Sequence, residues 1–456
     1  HKRKGTEALT KDFSNYIFAW EYDNYNEKDF QQDPLTIKPD SASISNDGEY
    51  IPQAYKTKFS LDVAQGSYGY NNVFGHQGLL VFYFSDLMGD HQLSLAVESQ
   101  ISLTNGDYFL NYAYLKNRLD YYFTLFHQAD FFFVGGYYNQ FGFPIEQSAR
   151  MRHFGFAAVA SRPFNRFNRV DAGLVFHNLD YKLFEISSFE NSNTIIDEDG
   201  FVSANPTLSY IYDNSVFGYT GPIDGFRQNT TVELSPAMGD KGLSYQKIKV
   251  DLRKYQMLSR DYSLAGRLFL GTSTGKNPQK YYLGGMQNWL LGTGITNGVD
   301  DGDTNESRWR NVILDSQNQS LLQDIYFSEF AYPLRGARFS ERFGTNVLLT
   351  NLEFRFPLIQ YLQIGFPFKM TLGNILGHVF MDFGAAWDDK REFTNFEFLQ
   401  AKYGNNLPDK FSPWVRSIGY GIKLPIYMLW RIEAAYDWTD SGFGKPQWYL
   451  SIGYDW

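Results

Sequence analysis

The chain holds few side chains in patterns that support chemistry. Gly271-Thr272-Ser273-Thr274-Gly275 has the G-x-S-x-G spacing of a nucleophile elbow. That motif needs a strand before it and a helix after it, because the sharp turn is what presents the serine hydroxyl for attack. Here "KNPQKYY" follows, opening with turn formers and lacking a helical period, so the pattern reads as a strand-end turn. The seven histidines (His1, His76, His91, His127, His153, His177 and His378) show no metal-ligand spacing. His177 and His378 fall on faces that suit polar networks instead. Asp300-Asp301-Gly302-Asp303-Thr304-Asn305-Glu306 gathers carboxylates in the manner of a calcium loop. Glu306, however, stands where an EF-hand starting at Asp301 requires glycine, so a solvated loop is expected. Asp197-Glu198-Asp199 reads the same way. The chain has no cysteine, which excludes thiol catalysis, disulfides and Cys-ligated zinc. It also suits maturation in an oxidising compartment. No catalytic residue, metal or cofactor is therefore expected, and the protein is read as a non-enzyme.

Composition points elsewhere. The chain has 456 residues, a net charge of −9 and no Lys/Arg stripe, so nucleic acid is not an expected partner. The longest apolar run, about Leu79–Phe84, falls far short of the roughly 18 residues of a helical membrane span. Yet aromatics make up 18%, with 33 Tyr and 41 Phe, against a mean hydropathy of −0.38. A soluble core does not need that load.

Period-2 alternation accounts for it. Along the final segment, Trp448, Leu450, Ile452, Tyr454 and Trp456 share one face, and Tyr449, Ser451, Gly453 and Asp455 the other. Rings at both ends of an aliphatic stripe match the two interfaces of a bilayer. Lys247–Arg253 opposes charged and aliphatic faces, and in the segment 348–356 the polar face carries Asn351, Glu353 and Arg355. Leu93–Glu98 and Val170–His177 repeat the alternation. The fold expected is all-β: a transmembrane antiparallel barrel of about sixteen strands, each near the 9–11 residues a tilted span needs. A large soluble β protein is the alternative, and only the direction in which the charged faces point separates the two.

Residues 1–54 are polar and acid-rich and read as a linker or arm, with the barrel over 55–456. No apolar segment follows His1-Lys2-Arg3-Lys4, so a signal peptide is not expected there. A mature form, or a piece of a longer polypeptide with a further N-terminal domain, is the expectation. The stretch from about 272 to 343 is too long for a hairpin loop and is expected outside the cell or folded into the lumen. Gly66 and Gly69 in the first strand, with Gly453 in the last, are compatible with a weak seam between them.

Three patches then resemble one family. They are "YYLGGMQNWLLG" with "YPLRGARF" inside the long loop, "TNLEFRFPL" on the next strand, and "GHVFMDFGAAW" followed by "SIGYGIKLP". In that order they resemble the barrel of the BamA-type outer-membrane assembly and translocation superfamily, also called the surface-antigen family. Residues 55–260, with "FYFSDLMGDHQLSLAVE", are similar to the C-terminal barrel of Bacteroidota proteins that carry a TolB-like propeller. The resemblance implies a cell outer-membrane location, contact with outer-membrane lipid, and work alongside other outer-membrane or periplasmic proteins. It implies that Arg335 and Gly336 form the tip of the sixth extracellular loop, folded into the lumen, with Phe339 in place of the usual following aromatic. It implies that Asp382 and Glu353 are their lumen partners. The aromatic-ended strand of Trp448, Leu450, Ile452, Tyr454 and Trp456 is expected to act as a C-terminal assembly signal. Phe380, Gly384 and Ala386 share the Asp382 face and leave room for a loop.

Overall fold

Alternate residues of the wall separate by environment, and the separation is inverted relative to a soluble sheet. On the strand holding Glu353, Leu352 is 44% exposed while Asn351, Glu353 and Arg355 are buried. On the next, Val379 and Met381 are exposed and His378 and Asp382 buried. Charges inside and apolar side chains outside are what a lipid-facing barrel demands and water forbids. This direction decides against the soluble alternative.

The computed structural model describes residues 55–453 apart from 72–74, 100–105, 139–143, 188–191, 219, 287–288, 293–328, 332, 339–340, 366–368, 404–410, 427 and 440–441. The chain divides into His1–Thr57 and Lys58–Trp456. The polar arm over 1–54, the acidic loop 300–306, Phe339, Tyr454 and Trp456 lie outside the described residues.

The second unit begins with β1 (Phe59–Asn71), β2 (Gly75–Asp86), β3 (His91–Ser99), β4 (Asp107–Tyr114), β5 (Asp120–Tyr138) and β6 (Pro144–Pro163). Next come β7 (Asn168–Ser187), β8 (Ser192–Asp213), the short β9 (Val216–Gly218), β10 (Gly221–Ser235), β11 (Tyr245–Ser259) and β12 (Tyr262–Gly275). Among the described residues, the long sixth loop carries four short strands, β13 (Tyr281–Leu283), β14 (Trp289–Gly292), β15 (Glu329–Ala331) and β16 (Arg342–Gly344). The wall resumes with β17 (Asn346–Ile364), β18 (Met370–Trp387), β19 (Trp414–Ile426), β20 (Met428–Thr439) and β21 (Gly442–Ile452), and α1 (Phe396–Tyr403) lies between β18 and β19. Among the described residues one sheet contains 18 of the strands, and without the short β9 and β14 it consists of sixteen long ones. Each long strand pairs antiparallel with the next, β8 with β10 and β12 with β17 closing over the intervening short pieces.

Two expectations need correction. Several strands are much longer than a bilayer span, β8 reaching 22 residues. Asp197-Glu198-Asp199 belongs to that extension and is strand, not loop, with Lys182 salt-bridged to Glu198 at 2.9 Å. Backbone pairing continues past the apolar band because polar side chains on both faces are satisfied by water and by each other there. Alternation finds only the part of a strand that has two different environments.

The sixth loop packs on the inner wall. β13 lies parallel to β15 and antiparallel to β16, a three-stranded sheet separate from the wall. Its Tyr281, Leu283 and Ala331 bury with Leu334 and Ala337 against Phe269, Val347, Leu349, Ala386 and Val415. The loop therefore brings an apolar cluster into an otherwise polar lumen. Outside it, Arg342 stacks on Phe411 at 3.8 Å and the Lys402 ammonium of α1 lies over Phe343 at 4.9 Å.

The inversion makes a direct prediction. Leu352, mid-strand in β17 and facing lipid, should lose about 2–4 kcal/mol of barrel stability on Leu352→Arg if it lies at the bilayer midplane. The urea midpoint in phospholipid vesicles, read by heat-modifiable mobility, measures it, and an unchanged midpoint contradicts a lipid-facing Leu352.

Candidate functional site

The site is a buried arginine laid across four adjacent strands. Register fixes the rows beneath it. Asn351, Asp382 and Ser417 stand side by side on β17, β18 and β19, and in the next row Glu353, Phe380 and Gly419 do the same. A third row runs Arg355, His378, Gly421 and Glu433, the last on β20. Gly419 has to be glycine, since a Cβ there would meet the Phe380 ring at 2.2 Å. With that side chain missing, the ring lies over β19 as a platform.

Arg335 enters from the loop between β15 and β16 and is wholly buried. Its guanidinium carbon sits 3.5 Å from the centroid of Phe380. Nε donates to Asp382 Oδ2 at 2.8 Å and Nη2 to Oδ1 at 2.9 Å, a bidentate fork, while the backbone N–H of Arg335 adds a third bond to Oδ2 at 3.0 Å. Nη1 donates to Glu433 Oε1 at 2.8 Å and to Glu353 Oε2 at 3.3 Å. The planar fork and the ring-stacking face are both properties that lysine lacks. A buried charge of this kind is tolerable only with every partner in place.

The partners are themselves held. Glu353 accepts from Arg355 Nε at 2.6 Å and Lys423 Nζ at 2.5 Å. His378 Nε2 lies 2.8 Å from Glu433 Oε1. Asn351 Nδ2 donates to Asp382 Oδ1 at 2.8 Å and to the Pro333 carbonyl at 2.7 Å, tying wall to loop. Gly336 takes φ +85° and its N–H donates to the Tyr449 hydroxyl of β21 at 2.9 Å. A Cβ at Gly336 would lie 2.9 Å from that of Ser417, so both conformation and space require glycine.

Glu353, His378 and Glu433 could converge on a metal, their ligand atoms lying within 4.8 Å of one another. The donor set does not fit an added cation well. Arg335, Arg355 and Lys423 already neutralise these carboxylates, and a divalent ion would add charge to a cluster with none to spare.

The structure brings Arg335, Gly336, Asp382 and Glu353 together. Along β21 it places Trp448 outward at 45% exposure, with Tyr449 and Ser451 buried. Ser273 lies near the end of β12 with its hydroxyl accepting the Gln279 N–H at 2.8 Å, and among the described residues no helix follows directly. His177 contacts His153, ring on ring at 4.6 Å. Glu433, Tyr449, His378 and Phe380 were not assigned roles at the arginine from sequence. The alternation Arg431, Glu433, Ala435 against Trp430 and Ile432 marks the inner face of β20, but register is what puts Glu433 under the loop.

Removal of the guanidinium leaves three carboxylates facing an empty space. Arg335→Ala should destabilise the barrel by about 3–5 kcal/mol, and Arg335→Lys should recover only part because it cannot form the fork. Gly336→Ala should cost about 1–3 kcal/mol from backbone strain alone. Urea midpoints of the three variants test this, and full rescue by lysine would contradict a role for the fork.

The chain is similar to known proteins. A family model described as the Omp85 superfamily domain matches residues 91–456. BamA from Haemophilus ducreyi lacking POTRA domains 1–3 superposes with a TM-score of 0.51 at 14% identity, covering 87% of this chain and 75% of that one. CdiB from Acinetobacter baumannii gives a TM-score of 0.44 at 13% identity over 88% of this chain and 60% of that one. CdiB from Escherichia coli gives 0.43 at 10% identity over 88% and 64%. No curated protein sequence matches. The family match spans most of the chain, and a member of that family sits in the outer membrane: this chain belongs to the Omp85 superfamily.

Proposed function

We propose that this barrel takes part in assembling, inserting or translocating outer-membrane or surface proteins, acting without covalent catalysis. The observation that carries the reading is the seam. Among the described residues β1 pairs with β2, and no ladder joins it to β21. Every described side chain of β1 up to Gly66 is exposed. Backbone groups at an open edge in lipid have to be satisfied by another strand, so such a seam is a template for an incoming one. The partners that fit are outer-membrane lipid, extended segments of other outer-membrane proteins, and periplasmic proteins that deliver them. The Arg335 nest and the motif of Arg335, Gly336, Asp382 and Glu353 serve in this reading as the dock that keeps the loop in the lumen. The face of Trp448, Leu450, Ile452, Tyr454 and Trp456 serves as the strand by which the barrel is itself recognised for assembly.

A second reading is an accessory barrel or a plugged pore inside a larger outer-membrane complex, favoured by the apolar cluster that the loop inserts into the lumen.

The test is insertion of a urea-denatured outer-membrane barrel protein into phospholipid vesicles. Vesicles carrying this protein should fold it faster than empty ones, by heat-modifiable mobility, and Arg335→Ala should remove most of the gain. Equal rates with and without the protein would favour the accessory or pore reading.

A further inference from the structure

The far edge of β21 is occupied by the chain itself. β14, from the sixth loop, lies antiparallel against it, with Trp289 opposite Ser451, Leu291 opposite Leu450 and Gly292 opposite Tyr449, and a bulge between Trp289 and Leu291. In a closed barrel of sixteen antiparallel strands that edge would belong to β1, and β14 runs in the direction β1 would run. We propose that Trp289–Gly292 is a resident edge strand that covers the free edge of β21 and gives way there to a longer extended segment. This rests on the assembly reading above.

The hold on β14 is short and shallow. The strand is four residues long and its ladder is interrupted. Leu290 falls at the bulge, and Leu290 and Leu291 are 36% and 61% exposed, so these two side chains gain little burial. Its backbone ladder to β21 is short, and a longer strand would pair with more of that edge.

The segment is nonetheless tethered close by. Met286 is buried and Gly285 bridges Leu334 through hydrogen bonds of 3.1 and 3.0 Å. Trp289 is therefore only a few residues from a fixed point, and a released β14 stays at high local concentration beside its edge. The other arm of the loop grips the same strand, since Gly336 donates to the Tyr449 hydroxyl. Vacating β14 uncovers the backbone of Tyr449–Ser451, which lipid cannot satisfy. The exchange is thus strand for strand. The segment that fits carries an apolar residue opposite Leu450 and a small one opposite Tyr449, as Leu291 and Gly292 do.

The absence of cysteine makes cross-linking direct. In the full chain in vesicles, Leu291→Cys with Leu450→Cys should form a disulfide under mild oxidation, reversed by reductant. Ile432→Cys with Leu450→Cys, opposite each other across β20 and β21, reports that the last strand is in place. A 432–450 disulfide without a 291–450 one overturns the proposal. The 291–450 locked barrel should lose its acceleration of client insertion and regain it on reduction. Full activity while locked also overturns the proposal and leaves the assembly reading intact. Inactivity of the unlocked, cysteine-free protein would sink the assembly reading instead, with the disulfide result standing.

Discussion

A guanidinium removed from water has to be neutralised where it lands, and Arg335 is removed completely. The bidentate fork to Asp382, the two further carboxylates and the ring of Phe380 together supply that neutralisation. None of these groups works alone. Glu353 and Glu433 would repel each other and Asp382 without the arginine, and Phe380 lies flat only because Gly419 has no side chain. The loop, the inner face of the wall and the small residues of β19 are therefore one arrangement. Leaving it incomplete is costly, because a buried charge would then stand without its partner.

The barrel was legible in the sequence because a strand between lipid and lumen must alternate. Ile418 and Tyr420 outside, with Ser417, Gly419 and Lys423 inside, follow from composition and period alone. The extensions of β6 and β8 beyond the bilayer were not legible, because a strand with water on both faces has no reason to alternate. Arg335, Asp382 and Glu353 were reached through a resemblance to family motifs. Glu433 was beyond that reach for a physical reason. It meets Arg335 across 98 residues of sequence, through the registers of two further strand pairs, and register is a property of pairing that no local pattern encodes. The pairing of β14 with β21 was hidden in the same way, since four residues of "WLLG" carry no periodic signal.

The sixth loop has two kinds of attachment that differ in depth. Around Arg335 it is held by buried charge and by an apolar cluster against five wall residues. At β14 it is held by a few backbone pairs near the lipid. A loop firmly anchored at one place and lightly at another can move the second without surrendering the first. That asymmetry suits a barrel whose seam has to change partners while its lumen stays filled.

The partners of Arg335 have a consequence for how the chain reaches this state. Glu353 and Asp382 follow it by 18 and 47 residues, Glu433 by 98, and Tyr449, which receives the Gly336 N–H, lies on the final strand. No residue of β1 to β8 takes part in these bonds. The arginine thus cannot be discharged into the lumen until β20 has been laid beside β19, almost the last event along the chain. A truncated or stalled barrel would carry a loop arginine without its full set of partners, a defect that quality control can read as charge where charge should not be.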